Sequence, residues 1–266
     1  MPYSPVMVQG IIDSHCHFDA PAFAPDRAQV WNRAVAAGVD ALILPGYDPR
    51  HWQRLAQLAA TNTAWFAAFG AHPCYLADLY RSPGQSWEQR LRRYLRTAVA
   101  LGEIGLDRGP DASPWAIQLD FLHRQLDLAE ELGLPVILHA RRSTEDLLQN
   151  LRHRSGLRGV LHSFSGSWVQ AQKALDIGLY IGLGGALTHP RAQRLRALAA
   201  RLPEGSFLVE TDAPWQAPAD GLGQRNEPAR IVSVLATLAA LRDTDMDSLA
   251  AITAAATRSL FSLPDV

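Results

Sequence analysis

The chain has 266 residues, 48% of them apolar and 19% charged, which is enough apolar side chain for a sizeable core and rules against disordered, collagen-like or coiled-coil architectures. Its 25 basic and 26 acidic residues leave a net charge of -1, so contact with nucleic acid would have to come from a local patch, not a global field. With only two cysteines, Cys16 and Cys74, a disulfide framework and a four-cysteine zinc site are both excluded.

The opening MPYSPVMVQG has neither a basic start nor an apolar stretch, so it does not read as a secretory signal. From there, short apolar runs alternate with longer helical patterns. The runs fall at 10–15, 39–45, 64–70, 98–107, 134–139, 158–162, 178–184 and 206–212. They are continuous and rich in Val, Ile and Leu, as expected of strands covered on both faces. Helices are predicted between them at 27–37, 51–60, 87–97, 116–132, 144–153, 169–177 and 191–202, and after them at 228–242 and 247–260. Gly38, Gly133, Gly156 and Gly178 stand where helices should end. Eight βα units predict an α/β fold, a (β/α)8 TIM barrel, as one domain over 1–266. A doubly wound open sheet is the rival. It rarely needs eight strands, and no Gly-rich dinucleotide fingerprint follows the first one. No run approaches the length of a membrane span. The expectation is a reduced, cytoplasmic protein with no membrane association and no obligate protein partner.

Polar residues end several of these runs. His15 and His17, two apart in IDSHCHFD, would share one side of a strand and chelate a metal, with Cys16 turned away into packing. A pair of hydrogen-bonded core histidines is the alternative for that string alone. Glu103 lies in ALGEIGLD, His139 ends LPVILH, His162 ends RGVLH and Asp212 ends SFLVETD. All sit at the C-terminal ends of strands, the active face of such a barrel. Buried there, each is costly unless paired or bound to a cation. Four imidazoles and two carboxylates without sulfur suit Zn, Mn or Mg. Six ligands exceed one open catalytic zinc, so two divalent ions about 3.5–4 Å apart, sharing a carboxylate, are expected.

IDSHCHFD, FGAHP, GEIGLD, LPVILHAR, LHSFSG and ETDAP, followed by NEP, resemble the TatD family of metal-dependent deoxyribonucleases among the amidohydrolase-like barrels, in order and spacing, over residues 11 to about 228. The resemblance implies a divalent-metal hydrolase that cleaves DNA phosphodiesters, often as an exonuclease. It implies His15, His17 and Asp212 on one metal, His139 and His162 on the other, and Glu103 as the bridge. His72, in FGAHP, matches a histidine near the substrate phosphate. The chain departs from the family pattern at Arg108, Trp215 and Ala256, none of them a ligand position.

The expected reaction is hydrolysis by metal-activated water, with Asp212 accepting the water proton and His72 either hydrogen-bonding a phosphate oxygen or protonating the leaving oxygen. Arg141 could pair with phosphate or be a solvated loop charge; Arg108 and Arg225 are weaker phosphate candidates. Glu210 could orient a ligand or form a structural ion pair. Asn226 and Glu227 read as the cap and first turn of a helix. His51, His123, His153 and His189 read as surface residues, and Trp31, Trp52, Trp87 and Trp115 as packing. Trp168 and Trp215, which follow strands, are the candidates for stacking on a base. DNA or a small phosphodiester is the expected substrate. Hydrolysis of a small phosphate ester, amide or lactone, and metal-dependent nucleic-acid binding without turnover, are the alternatives. Lys173, the one lysine, lies in a predicted helix, so a carbamylated-lysine bridge is not expected.

Overall fold

A computed structural model of the chain describes residues 8–77, 79 and 86–264, so most of the opening MPYSPVMVQG lies outside the described residues. Eight strands form one parallel sheet in chain order: β1 Ile11–Asp13, β2 Val39–Gly46, β3 Trp65–Phe69, β4 Ala100–Asp107, β5 Val136–Arg141, β6 Gly159–Leu161, β7 Leu179–Leu183 and β8 Phe207–Val209. Each overlaps one predicted run, with β2 ending one residue and β5 two residues beyond theirs. The ring closes between β8 and β1 through the Ser14 N–H to the Val209 carbonyl (3.0 Å) and the Asp212 N–H to the His15 carbonyl (2.9 Å).

Among the described residues, α1 Arg27–Ala36, α2 Trp52–Ala59, α3 Trp87–Leu95, α4 Trp115–Leu132, α5 Thr144–Leu151, α6 Trp168–Asp176, α7 Gln193–Ala199 and α8 Ile231–Arg242 each follow the strand of the same number, and α9 Met246–Phe261 comes last. The predicted helix at 228–242 begins as a single 3-10 turn, Pro228–Arg230, before α8. The four punctuating glycines all have positive φ. At Gly38 the requirement is also steric: a Cβ would fall 1.7 Å from the Val8 carbonyl oxygen.

The strands are buried on both faces, and their side chains divide by parity. Ile11, Leu42, Leu44, Phe69, Leu101, Val136, Leu138, Phe207 and Val209 pack outward into the large cluster under the helices. Ile12, Ala41, Ile43, Ala68, Ala100, Ile137, Val160 and Leu208 form a second cluster inside the ring. Leu260, Phe261 and Leu263, from α9 and the residues after it, join that inner cluster, so the C-terminal segment covers the end where the strands begin. The opposite end is left for polar side chains. No helix of the described residues is long and apolar enough to cross a membrane.

Replacing Phe261 by Ala should therefore open a cavity at the covered end and lower unfolding stability by about 3–5 kcal/mol in urea titrations. The exposed Val169, replaced by Ala, should change it by no more than about 0.5 kcal/mol. Equal effects of the two substitutions would refute the plug.

Candidate metal centre

The strand ends open into a cleft of about 550 Å³. The strand β1 stops at Asp13, so His15 and His17 lie beyond it, not on its pleat. Cross-braces aim them instead. The Asp13 carboxylate accepts hydrogen bonds from the Thr211 N–H (3.0 Å) and the Thr211 hydroxyl, and the Ser14 hydroxyl donates to the Val209 carbonyl (2.9 Å). Burial pushes Asp13 up to about 7, against the Thr211 hydrogen bonds that favour its charge. Cys16 is buried between the two histidines with its Sγ toward the Ala213 carbonyl, as packing requires.

Four side chains meet at one point. His15 Nε2 lies 3.1 Å from His17 Nε2, and 3.5 Å from both Glu103 Oε2 and Asp212 Oδ1. His17 Nε2 lies 3.4 Å from Glu103 Oε2 and 3.3 Å from Asp212 Oδ1. Asp212 holds a left-handed backbone, φ 54°, and its Oδ2 accepts from the Gln216 amide at 2.6 Å. Aspartate tolerates that conformation better than most residues, and such strain clusters at functional sites.

A second group meets beside the first. His139 Nδ1 and His162 Nε2 each lie 2.9 Å from Glu103 Oε1 and 3.3 Å from one another. Glu103 thus turns Oε2 to one group and Oε1 to the other. It sits inside β4, not near its end, where the register with β5 breaks between Leu101 and Ile104. Gly105 makes the close approach possible: its φ is 151°, and a Cβ there would fall 2.0 Å from the His139 carbonyl oxygen.

Electrostatics bind the groups together. Burial opposes the charge on Glu103, yet the facing His162 and His72 and the hydrogen bonds of His139 and His15 hold it well below the usual carboxylate range. Burial opposes the charge on His17 too, but Asp212 and Glu103 override it and push His17 up to about 10. His162 is likewise raised, chiefly by Glu103 acting against burial. Protons on these rings balance the buried carboxylates, which is the role that cations would take over.

His139 presents Nδ1 to Glu103 because its Nε2 is held by Asp107 Oδ2 at 2.9 Å. Asp107 is in turn fixed by the Gly109 N–H, and its backbone by Gln118. His72 lies three residues past β3, with Nε2 3.5 Å from Glu103 Oε1. Its Nδ1 accepts from the Cys74 N–H at 3.2 Å, so the ring hydrogen is on Nε2 and points inward. Burial and the neighbouring His139 push His72 down to about 3. A neutral donor suits a hydrogen bond to phosphate better than protonation of a leaving group. Glu210 is fully buried: its Oε1 accepts from the Ser163 N–H and lies 3.6 Å from His162 Nδ1.

The structure brings His15, His17, His72, Glu103, His139, His162 and Asp212 together and puts Arg141 on the cleft wall. It sends others elsewhere. Arg108 pairs with Asp146 at 3.0 Å and lies over the Trp115 ring, and Arg225 is held by Asp26 and Glu227. Trp168 lies under Arg201, leaving Trp215 as the tryptophan in the cleft. Asn226 does not cap a helix: its amide donates to the Thr211 (2.8 Å) and Trp215 (2.7 Å) carbonyls, tying the turn after β8. Glu227 pairs with Arg33 at 2.8 Å. His123 and His153 are exposed, whereas His189 is half-buried after a 3-10 turn, not on a helix. Lys173 pairs with Glu145 on the outer helices. The sequence reading gave no role to Asp13, Asp107 or Gln216. Asp13 and Asp107 also end apolar strands, the signal that picked out the others; nothing local marks Gln216.

These donors fit divalent cations. They are nitrogen and oxygen without sulfur, and their separations of 2.9–3.5 Å match neighbouring ligands held about 2.0–2.2 Å from a shared ion. His15, His17 and Asp212 form one compact group of metal-binding atoms, and His72, Glu103 and His139 another.

Comparison with known proteins agrees. The family model described as TatD related DNase matches residues 12–262. The chain is 40% identical over 260 residues to the uncharacterized metal-dependent hydrolase YjjV of Escherichia coli K12, covering 97% of this chain and all of that protein. It is 34% identical over 264 residues to the 3'-5' ssDNA/RNA exonuclease TatD of Erwinia amylovora, covering 95% of this chain and all of that one. The crystal structure of the TatD homologue YjjV from Escherichia coli superposes with a TM-score of 0.89 at 38% identity, over 97% of this chain and all of that chain. With the family pattern matched nearly end to end on a barrel of the same shape, the chain belongs to the TatD-related family of metal-dependent hydrolases.

Proposed function

We propose that the cleft hydrolyses phosphodiester bonds in DNA with two divalent cations drawn from Mg, Mn and Zn, as a cytoplasmic exodeoxyribonuclease-like enzyme. The observation that carries this reading is the division of Glu103, with one carboxylate oxygen toward His15, His17 and Asp212 and the other toward His139 and His162. The name of the Erwinia relative supports a nucleic-acid substrate.

In this reading His15, His17, Asp212 and Glu103 would hold one ion, and His139, His162 and Glu103 the other. Divalent ions there would acidify water and neutralise charge on phosphoryl oxygens. The protein's own groups do the rest. Asp212 accepts the proton lost by the attacking water at Oδ2, which has a lone pair free beside the Gln216 amide. His72 donates its Nε2–H to a phosphate oxygen. Arg141, exposed on the rim, pairs with phosphate. Asp107 holds His139 in the ring orientation that the site needs, and Glu210 stands 3.6 Å from His162 Nδ1.

Metal-stripped protein should cleave labelled single-stranded DNA only after Mg, Mn, Zn or Co is restored, and Glu103→Gln should lose at least about a hundredfold in turnover with every metal. Unchanged turnover in fully stripped protein would sink the dinuclear reading. Affinity for a single-stranded oligonucleotide should fall with salt, and Arg141→Ala should make the log–log slope shallower by about 0.7, one phosphate contact. An unchanged slope would remove Arg141 from the phosphate path.

A further inference from the structure

The cleft has two unlike walls. Tyr47 follows β2, Tyr75 follows β3 and Trp215 follows β8; across from them Arg141 and Arg142 stand at the end of β5. The three rings adjoin at steep angles, 77° between Trp215 and Tyr47 and 53° between Tyr47 and Tyr75. Trp215 lies 4.9 Å from the His17 ring and 6.0 Å from Tyr47, and Tyr47 lies 5.2 Å from Tyr75, centroid to centroid. His17 also meets Tyr47 at 4.8 Å, so the aromatic wall rises directly from a histidine of the cluster.

Trp215 is 49% exposed and Tyr75 36%. Yet the backbone beneath the indole is fixed. The Trp215 N–H donates to the Asp212 carbonyl at 2.9 Å, and the Trp215 carbonyl accepts from the fully buried Asn226. The next residue, Gln216, is tied to both Asp212 and Ser163. An aromatic surface held in place but left open to water loses little backbone freedom on taking a ligand.

We propose that this wall is a nucleobase subsite. The base adjoining the scissile phosphate stacks on the Trp215 indole, Tyr47 and Tyr75 bound it from the side, and the phosphate faces Arg141. The inference rests on the nuclease reading and narrows it. A base can lie flat on the indole only when its own face is free, so the site takes unpaired nucleotides and not intact duplex. Because every base has a π-face, the wall senses that a base is present and not which one it is.

The test is binding, with metal-loaded protein and phosphorothioate-linked probes that resist cleavage. The probes are two fluorescein-labelled octamers of equal charge, oligothymidylate and the same backbone with every base absent. Wild-type protein should bind the thymidylate about tenfold more tightly, Trp215→Ala should bring the ratio near one, and Trp215→Phe should keep most of it. Equal binding of both octamers by wild type overturns the subsite and leaves the nuclease reading standing. So does an equal loss for both octamers in Trp215→Ala with an unaltered melting temperature. Binding of neither octamer by wild type overturns both.

Discussion

One buried carboxylate organises this protein. Glu103 is 3% exposed inside a strand of the barrel, where an unpaired charge would be prohibitively expensive. It is tolerable because imidazoles from three other strand ends, and the histidines beyond β1, converge on its two oxygens. Removing any of these rings would leave charge uncompensated, and removing Glu103 would leave several rings crowded against one another. The two groups of donors are therefore one unit, joined through a single side chain. A parallel barrel is the architecture that permits this, because it points all its strand ends at the same opening.

That convergence needs rigid support at the weakest part of the ring. The strands β1 and β8 are only three residues long, and no regular ladder joins them. Side chains take over the closure: Asp13 with Thr211, Ser14 with Val209, and Asn226 with the turn at Thr211 and Trp215. The same braces place His15 and His17 on one side and Asp212, in its left-handed conformation, on the other. Closing the barrel and aligning half the donors are accordingly one task. At the opposite end α9 covers the inner apolar cluster, so stability and chemistry occupy separate ends of the ring.

The sequence pattern carried much of this. Continuous Val, Ile and Leu runs mark strands covered on both faces, and all eight were legible for that reason. The rule that a polar residue ending such a run faces the cleft picked out His139, His162 and Asp212 and applies equally to Asp13 and Asp107, whereas Glu103 reaches the cleft from inside β4. The tertiary relations were not legible. Nothing local says that His139 turns Nδ1 inward because Asp107 holds its Nε2, or that Glu103 divides its oxygens. Asn226 before Glu227-Pro228 has the composition of a helix cap, but its partners lie eleven and fifteen residues away, on the turn after β8. His15 and His17 were placed on one side for the wrong reason: strand parity does not operate past Asp13, and the braces do that work.

The near-neutral net charge and a polyanionic substrate are compatible once the charges are located. Six arginines are paired outside the cleft: Arg33 with Glu227, Arg92 with Glu131, Arg108 with Asp146, Arg124 with Glu88, Arg154 with Asp127 and Arg225 with Asp26. These pairs are largely exposed, contribute little stability, and neutralise charge only locally. Arg141 and Arg142 stand on the cleft wall with no ion pair among the described residues. On the proposed reading, this pair of guanidinium groups, set among the carboxylates Glu103, Asp107, Asp111 and Asp212 of the same cleft, gives a phosphate chain a local place to bind at the mouth. Facing the aromatic wall, it would orient the chain as well, with backbone toward the guanidinium groups and bases toward the rings.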